Sequence, residues 1–351
     1  MKKNLIIIGS KSYPNNYGGF EALVESLLKG QKFKTSFEEI FVITEFDNLR
    51  FENVQVLALG YRKSSNPVKF YKDSLKLTSS GDIVLILGLG GGFVLWWYRL
   101  IKKNTKFVVN LDGLEWRRSK FGLAKRLGLY LSYLGNVLFA NRLILDSGAL
   151  KLYLPFVPRI VKDKIVTVEY TSRYEFLDST TTNIDRGIVL AVARFVPENN
   201  IDLLCEAWEI ARKEGVVSKT KEFIFVGDFE SWPSDLREKY PNIQFIGPVY
   251  DQGVLIKLYN ACDIYIHGHS VGGTNPALVE ALSFGLNIFA HDNRFNRETL
   301  RSNGNYFRCI NDLVDLLSGS ERVNEEKVMA YYLSRFSNRR ITDDYLKVLI
   351  E

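Results

Sequence analysis

Short apolar runs alternate with amphipathic stretches along this chain of 351 residues, and that alternation constrains its fold more than any other feature. The runs "NLIIIGS", "EEIFVITEF", "VQVLALGY", "DIVLILG", "TKFVVNL", "RLILDS" and "KIVTVEY" read as strands, and stretches such as "GFEALVESLLKG" between most of them read as helices. Near-continuous apolar strands separated by helices imply parallel sheets covered on both faces. After Tyr170 a polar segment without periodicity intervenes, and the pattern restarts at "GIVLAVARF", continuing through "EFIFVG", "IQFIG", "CDIYIHG" and "LNIFAH". The division is therefore into residues 1–168, residues 169–330 and a terminal helical stretch, 331–351, with two doubly wound α/β domains.

The run from Ile83 to Ile101 has the length of a membrane span, but Gly88 and Gly90 to Gly92 interrupt it and Arg99 lies inside its end. It reads as a buried strand, a glycine loop and a helix. No signal peptide is visible in "MKKNLIIIGS". Cys205, Cys262 and Cys309 are scattered without metal-ligand spacing, so they read as small buried apolar residues of a protein in a reducing cytoplasm. Charge is uneven: 26 Lys and Arg stand against 14 Asp and Glu through Tyr170, and 20 against 26 after it. A basic first half without nucleic-acid motifs points to phosphates or an anionic membrane as its partner.

In doubly wound sheets ligands sit beyond the carboxyl ends of strands, so the loops after strands are the places to search. In "GSKSYPNNYGGFEALVE" Gly18 and Gly19 open a helix, without the spacing of a dinucleotide fingerprint. In "NLDGLEWRRSKFG" Asp112 ends a strand, where it serves as a general base or as a turn aspartate. Downstream, Arg117, Arg118, Lys120, Lys125 and Arg126 surround Trp116 and Phe121, ahead of a helix carrying Leu123, Leu127, Leu131, Leu134 and Leu138. Two readings stand there: a peripheral membrane face, or a helix packed in its domain with a solvated basic end. In "VARFVPENNIDLLCEAWEIA" Arg194 ends a strand, positioned to clamp a diphosphate, and Asn199 or Asn200 caps a helix whose stripe is Leu204, Ala207, Trp208 and Ala211.

The stretch "HGHSVGGTNPALVEALSFG" carries the most chemistry. Pro276 suits a first helical position, with Asn275 or Thr274 as the cap. Gly272 and Gly273 precede the cap, where backbone amides can turn toward an anion at the positive end of the helix; the other reading is a tight turn. Glu280, one turn on, suits two ribose hydroxyls or the helix dipole. His267, His269 and His291 are the only histidines. No further ligand spacing completes a metal set with them, so hydrogen bonding near a sugar or phosphate is the stronger reading.

On "ARFVPENNIDLL" and "HGHSVGGTNPALVEALSFG" the sequence resembles a family-4 glycosyltransferase, and "YGGFEALVE" and "LDGLEW" resemble the bacterial rhamnosyltransferase-like branch. The resemblance covers nearly the whole chain. It implies an α/β, GT-B fold: two facing Rossmann-like doubly wound parallel-sheet domains, with a sugar-nucleotide donor held mainly by the second. It further implies a retaining transfer of L-rhamnose from dTDP-L-rhamnose to a saccharide on an undecaprenyl-diphosphate lipid, without metal or cofactor. The enzyme would work at the inner face of the plasma membrane in surface-polysaccharide synthesis. Arg194 matches the family's diphosphate-binding arginine, and Asn199 stands where its "PEK" lysine usually stands. Gly272 and Glu280 occupy its Glu-x7-Glu pair, leaving only the ribose-binding glutamate. Gly18 and Gly19 match the loop that approaches the donor phosphate, and Asp112 the residue facing the acceptor, often a histidine. The terminal helix crosses back to the first domain in that family. Alternatives are a UDP-hexose transferase, a sugar-nucleotide epimerase and a non-catalytic nucleotide-binding subunit.

Overall fold

Every one of the predicted apolar runs forms a strand, most of them buried along their length, because parallel strands between helix layers leave no face for water. The structure is a computed structural model; it describes residues 2–14, 18–113, 115–117, 121–154, 159–174, 187–228, 235–249, 251–319 and 323–351. The polar joining segment thus lies largely outside the described residues, as do Arg118 and Lys120. The chain forms two compact units: Met1–Thr171 with Asn338–Glu351, and Ser172–Ser337.

The first unit holds β1 (Leu5–Ile8), β2 (Ile40–Thr44), β3 (Leu49–Phe51), β4 (Val54–Ala58), β5 (Ile83–Leu87), β6 (Lys106–Asn110), β7 (Arg142–Leu145) and β8 (Ile165–Thr167). Its helices are α1 (Gly19–Lys29), α2 (Gln31–Thr35), α3 (Pro67–Lys76), α4 (Gly92–Ile101), α5 (Leu123–Phe139) and α6 (Arg159–Lys162). The sheet order is β3-β4-β2-β1-β5-β6-β7-β8, parallel except for β3 against β4, so the strand order reverses between β1 and β5. Strand β3 is absent from the sequence reading because "LRF" is an exposed edge with no apolar alternation.

The second unit holds β9 (Ile188–Val192), β10 (Glu222–Val226), β11 (Ile243–Ile246), β12 (Cys262–His267), β13 (Asn287–His291) and β14 (Asn305–Phe307). Its helices are α7 (Ile201–Lys213), α8 (Leu236–Lys239), α9 (Gln252–Ala261), α10 (Pro276–Ser283), α11 (Arg294–Leu300), α12 (Ile310–Ser318) and α13 (Glu325–Phe336). The all-parallel order β11-β10-β9-β12-β13-β14 reverses between β9 and β12, which makes the loops after those two strands the walls of a ligand crevice. The anticipated α7 stripe is buried, with Trp208 and Ala207 fully enclosed. Cys205 and Cys262 are buried, but Cys309 is exposed, because it precedes α12 as the residue at its cap and no strand or helix face covers it.

The last helix, α14 (Asn338–Ile350), belongs to the first unit. Ile341, Tyr345 and Leu349 enter the core beside β1 and β5, and burial of such side chains stabilises by about 1.5–3 kcal/mol each. Asn110 at the end of β6 donates its amide to the Tyr345 hydroxyl at 2.6 Å, and Lys106 Nζ donates to the Val348 carbonyl at 2.9 Å.

The long apolar run divides at Gly88, whose φ of 87° favours glycine, into β5, a short turn and α4. Among the described residues no helix is long and apolar enough to cross a membrane. Helices α4 and α5 approach through glycines: a Cβ at Gly92 would lie 1.7 Å from the Ser132 carbonyl oxygen, and one at Gly135 would lie 2.2 Å from that of Gly92. We expect Gly92→Ala to destabilise the first unit by about 1–3 kcal/mol through overpacking. Gly128→Ala, where the added methyl meets open space, should stabilise α5 by about 0.5–1 kcal/mol. Thermal unfolding followed by circular dichroism checks both.

Candidate functional site

In the second unit the loops after β9 and β12 are tied together. Asn200 Nδ2 donates to the Gly268 carbonyl at 2.8 Å, and the Ser270 amide and hydroxyl both donate to the Glu198 carbonyl, at 2.8 and 3.0 Å. Gly268 permits this approach, since a Cβ there would lie 2.1 Å from the Asn199 carbonyl oxygen. Asn199 is buried and both ends of its amide are engaged: Nδ2 donates to the Arg194 carbonyl at 2.6 Å, and Oδ1 lies 2.7 Å from His269 Nδ1. With Nδ2 as the donor, Oδ1 must accept, so His269 carries its proton on Nδ1. Asn199 therefore fixes the backbone of Arg194 and the ring of His269. Asn200, in the left-handed region at φ 49°, holds the cap position of α7. The Arg194 side chain is exposed, and no described residue pairs with its guanidinium.

Helix α10 begins at Pro276, and the Asn275 side chain accepts from the Ala277 amide at 3.0 Å. Since proline has no amide hydrogen and the cap takes the next one, donors for an anion come from the preceding loop. There the amides of Gly272, Gly273 and Asn275 donate to no described group, and the α10 dipole adds its positive end. Gly272 has φ 115°, and the space beside it is filled by His269, whose Nε2 would stand 3.4 Å from any Cβ. Thr274 is buried. Asn293 and Asn296 each donate to the carbonyls of His269 and His291, which braces the loop from the β13 side.

His267 ends β12, buried, with no described partner for Nε2. Burial, then His269 and His291, push its pKa down to about 3, so it is a neutral hydrogen-bonding group. Burial lowers the pKa of His291 too. Among the described residues no three His, Cys, Asp or Glu side chains come together as a metal site.

Glu280 is 2% exposed, and both its oxygens have protein partners: Oε1 accepts from Arg173 Nε at 2.7 Å and Oε2 from the Tyr259 hydroxyl at 3.2 Å. Burial, then Glu280, hold the Tyr259 phenol well above its usual pKa, so it remains a donor. Ser283 donates to the Ser172 hydroxyl at 3.0 Å, pinning the same entry segment to α10. Sequence reading missed Arg173, because the pairing spans 107 positions and no local spacing signals it.

The chain matches several solved structures over nearly its full length. HepE from Anabaena, solved with UDP, is 14% identical over 99% of each chain with a TM-score of 0.72. Sucrose-phosphate synthase from Thermosynechococcus elongatus is 15% identical over 99% of this chain and 98% of its own, also at 0.72. TarM from S. aureus is 17% identical with a TM-score of 0.62, and the matched region covers 82% of this chain and 59% of that one. These likenesses establish the GT-B fold. No curated protein sequence matches the chain. Residues 173–339 match the family model described as glycosyl transferases group 1. The matched residues coincide closely with the second unit.

The matched stretch begins at Arg173 and takes in Arg194, Asn199, His267, His269, the Gly272–Asn275 loop and Glu280. The remaining candidates lie in the first unit. Gly18, at φ 136°, caps α1 and leaves room for Glu21, whose Oε1 accepts from the Lys11 amide at 2.7 Å; a Cβ at Gly18 would lie 2.0 Å from Glu21 Oε2. Gly19, the first helical residue, faces open space. Beside them Lys63 donates to the Gly9 carbonyl at 2.6 Å, at the β1–β5 reversal; the sequence reading did not single it out. Asp112, with φ 57°, follows β6; its amide donates to Asn110 Oδ1 at 2.9 Å, and the Tyr170 hydroxyl donates to its Oδ1 at 3.5 Å. Burial, then Asp112 and Asp146, raise the Tyr170 pKa well above the usual value. Trp116 stacks within the unit against Tyr133, ring centroids 4.4 Å apart, and its carbonyl accepts from Arg126 Nε at 2.8 Å. Arg117 ends the short helix Glu115–Arg117, and Lys125 Nζ lies 4.2 Å from the Phe121 ring centroid.

His267 and His291 have native pKa values below that of the unfolded chain, so the unfolded state takes up protons first. Their contribution to stability is complete above about pH 6.5 and declines as pH falls toward the native values, by at most about 1.4 kcal/mol per pH unit for each. Urea unfolding between about pH 6.5 and pH 5 should show this slope, and His267→Gln should make it shallower.

Proposed function

We propose that the protein is a retaining glycosyltransferase that moves L-rhamnose from dTDP-L-rhamnose to a saccharide carried on undecaprenyl diphosphate. It works on the cytoplasmic side of an anionic membrane, in surface-polysaccharide synthesis. The observation that carries this reading is the crevice at the β9–β12 reversal, where the unpaired Arg194 guanidinium and the loop amides of Gly272, Gly273 and Asn275 lie on tied, neighbouring loops. A diphosphate suits that donor set. HepE, a structural neighbour, is solved with UDP, which supports a nucleoside-diphosphate ligand.

In the proposed step the bond from the anomeric carbon to the leaving phosphate breaks, and the acceptor hydroxyl forms its bond on the same face. The hydroxyl proton passes to a leaving-phosphate oxygen. Negative charge grows on the diphosphate as the bond breaks, so Arg194 and the amides stabilise the transition state more than the bound donor. His267, held neutral by burial, and His269 offer hydrogen bonds to the sugar. Glu280 holds Arg173, and through the entry segment keeps α10 in place, while a ribose hydroxyl reaches the carboxylate only by sharing it with those partners. By the resemblance, Gly18 and Gly19 of the first unit serve the donor phosphate and Asp112 serves the acceptor. The missing carboxylate at Gly272 suits a 6-deoxy sugar, which offers one hydroxyl fewer. The residues Trp116, Arg117, Arg118, Lys120, Lys125 and Arg126 supply the cationic membrane contact.

A UDP-hexose donor is the second reading, favoured by the UDP seen in HepE. Thermal-shift titration with dTDP, UDP, GDP and ADP, with and without magnesium, separates the two, since a ligand bound only to the native state raises its melting temperature. We expect stabilisation by dTDP, equal in both conditions. Arg194→Ala should lower kcat with dTDP-L-rhamnose by about 10²–10³-fold while leaving the apo melting temperature unchanged. A dominant response to UDP would establish the second reading, and a covalent sugar adduct on any carboxylate would overturn the same-face displacement.

A further inference from the structure

Helix α4 has two apolar faces: Leu95 and Tyr98 are buried, and a second stripe faces outward. Phe93, Trp96, Trp97 and Leu100 stand at i, i+3, i+4 and i+7, the spacing of a core-facing stripe, and all four are exposed. Trp97 is 52% exposed, and its ring meets that of Trp96 edge to face with centroids 5.7 Å apart. Helix α5, packed against α4 through Gly92 and Gly135, also turns an apolar stripe outward. Leu123, Leu127, Leu131 and Leu138 face outward, Leu123 at 81% exposure. The inward side of α5 carries Tyr133 and Val137 beside Ser132 and Asn136, which both donate to the Leu89 carbonyl. The sheet side of the pair is thus already filled, and the outward stripes are surplus to that packing.

Charge identifies the occupant. No Asp or Glu occurs from Ile83 to Leu111 or from Trp116 to Leu145, so neither helix carries one. The stripes are rimmed by Arg99 and Lys103 at the end of α4 and by Lys125 at the head of α5, while Lys102 turns inward onto Thr78. A second copy of the chain docked on this face would bring cation against cation. An anionic lipid surface relieves those charges and accepts the apolar stripe at the same time. Tryptophan is suited to that boundary, with an apolar ring body and a polar N–H.

We infer that the outward face of α4 and α5 inserts into the headgroup–acyl boundary of an anionic bilayer, so that the first unit is held by apolar insertion as well as by charge. The inference rests on the peripheral-membrane part of the proposed function and is independent of which nucleotide the second unit binds. At 17 residues α5 spans about 25 Å, enough to lie along the surface.

The experiment uses the full chain with phosphatidylglycerol-containing and pure phosphatidylcholine vesicles, including lipids brominated on the acyl chains. We expect binding to anionic vesicles that weakens but persists in about 1 M salt, where charges are screened within ~3 Å. Brominated chains should quench tryptophan emission. A Trp96→Leu, Trp97→Leu variant should still bind but lose the quenching, and Leu127→Ser with Leu131→Ser should weaken binding about tenfold or more. An unchanged apo melting temperature and circular-dichroism spectrum confirm that these exposed substitutions leave the fold intact. Binding abolished by salt, with no quenching, overturns insertion and leaves the electrostatic contact standing. No binding to any vesicle overturns both, without touching the nucleotide result. A dimer without vesicles that the leucine substitutions dissolve overturns the lipid as occupant.

Discussion

The crevice of the second unit depends on one contact, the lacing of the loop after β9 onto the loop after β12. Asn200, Ser270 and the Asn199–His269 pair supply the hydrogen bonds, and Gly268 supplies the close approach. Individually such bonds contribute only about 0.5–1.5 kcal/mol net. Their larger effect is geometric, because Arg194 and the amides before α10 are held still before any ligand arrives. Donors that are already oriented need no reorganisation as charge develops, which is where electrostatic catalysis gains most. The cost of losing either partner is correspondingly high, since Asn199 is buried and one end of its side-chain amide would be left unpaired.

Apart from Arg194, the titratable groups described around this crevice are kept neutral or paired. Burial suppresses the protonation of His267 and His291, and the Tyr259 phenol next to Glu280 is held as a donor. Glu280 itself is matched by Arg173, so α10 carries no unmatched negative charge beneath the loop proposed to hold the diphosphate. A field of this kind favours an anionic ligand through Arg194 and the helix dipole alone.

Strand existence was legible because both-face burial demands unbroken apolar runs, and each run so read is a strand. The exceptions are instructive. Strands β3 and β14 have three residues each, and β3 is held by backbone pairing at an edge, a force that leaves no mark on side-chain choice. At the site, the α10 cap was legible because proline and asparagine act locally, and the glycines because φ is a property of one residue. The Arg173–Glu280 pair and Lys63 on Gly9 were illegible, since each joins distant positions through tertiary packing. Periodicity likewise located the leucine stripe of α5 without saying which way it faces, because a stripe seen in sequence has no inside or outside.

The place of α14 has a consequence for synthesis. The chain leaves the first unit at Thr171 and returns to it at Asn338, so the second unit is an insertion within the first. Strand β6 meets Asn110's partner, Tyr345, only after more than two hundred further residues have been made. Domains generally fold as units during synthesis, the earlier one first. Here the order is inverted: the second unit has all its strands and helices before the first has its last one. Until α14 has been made, the apolar flank beside β1 and β5 stays uncovered, so the first unit completes its core only after the second unit's elements have all been synthesised.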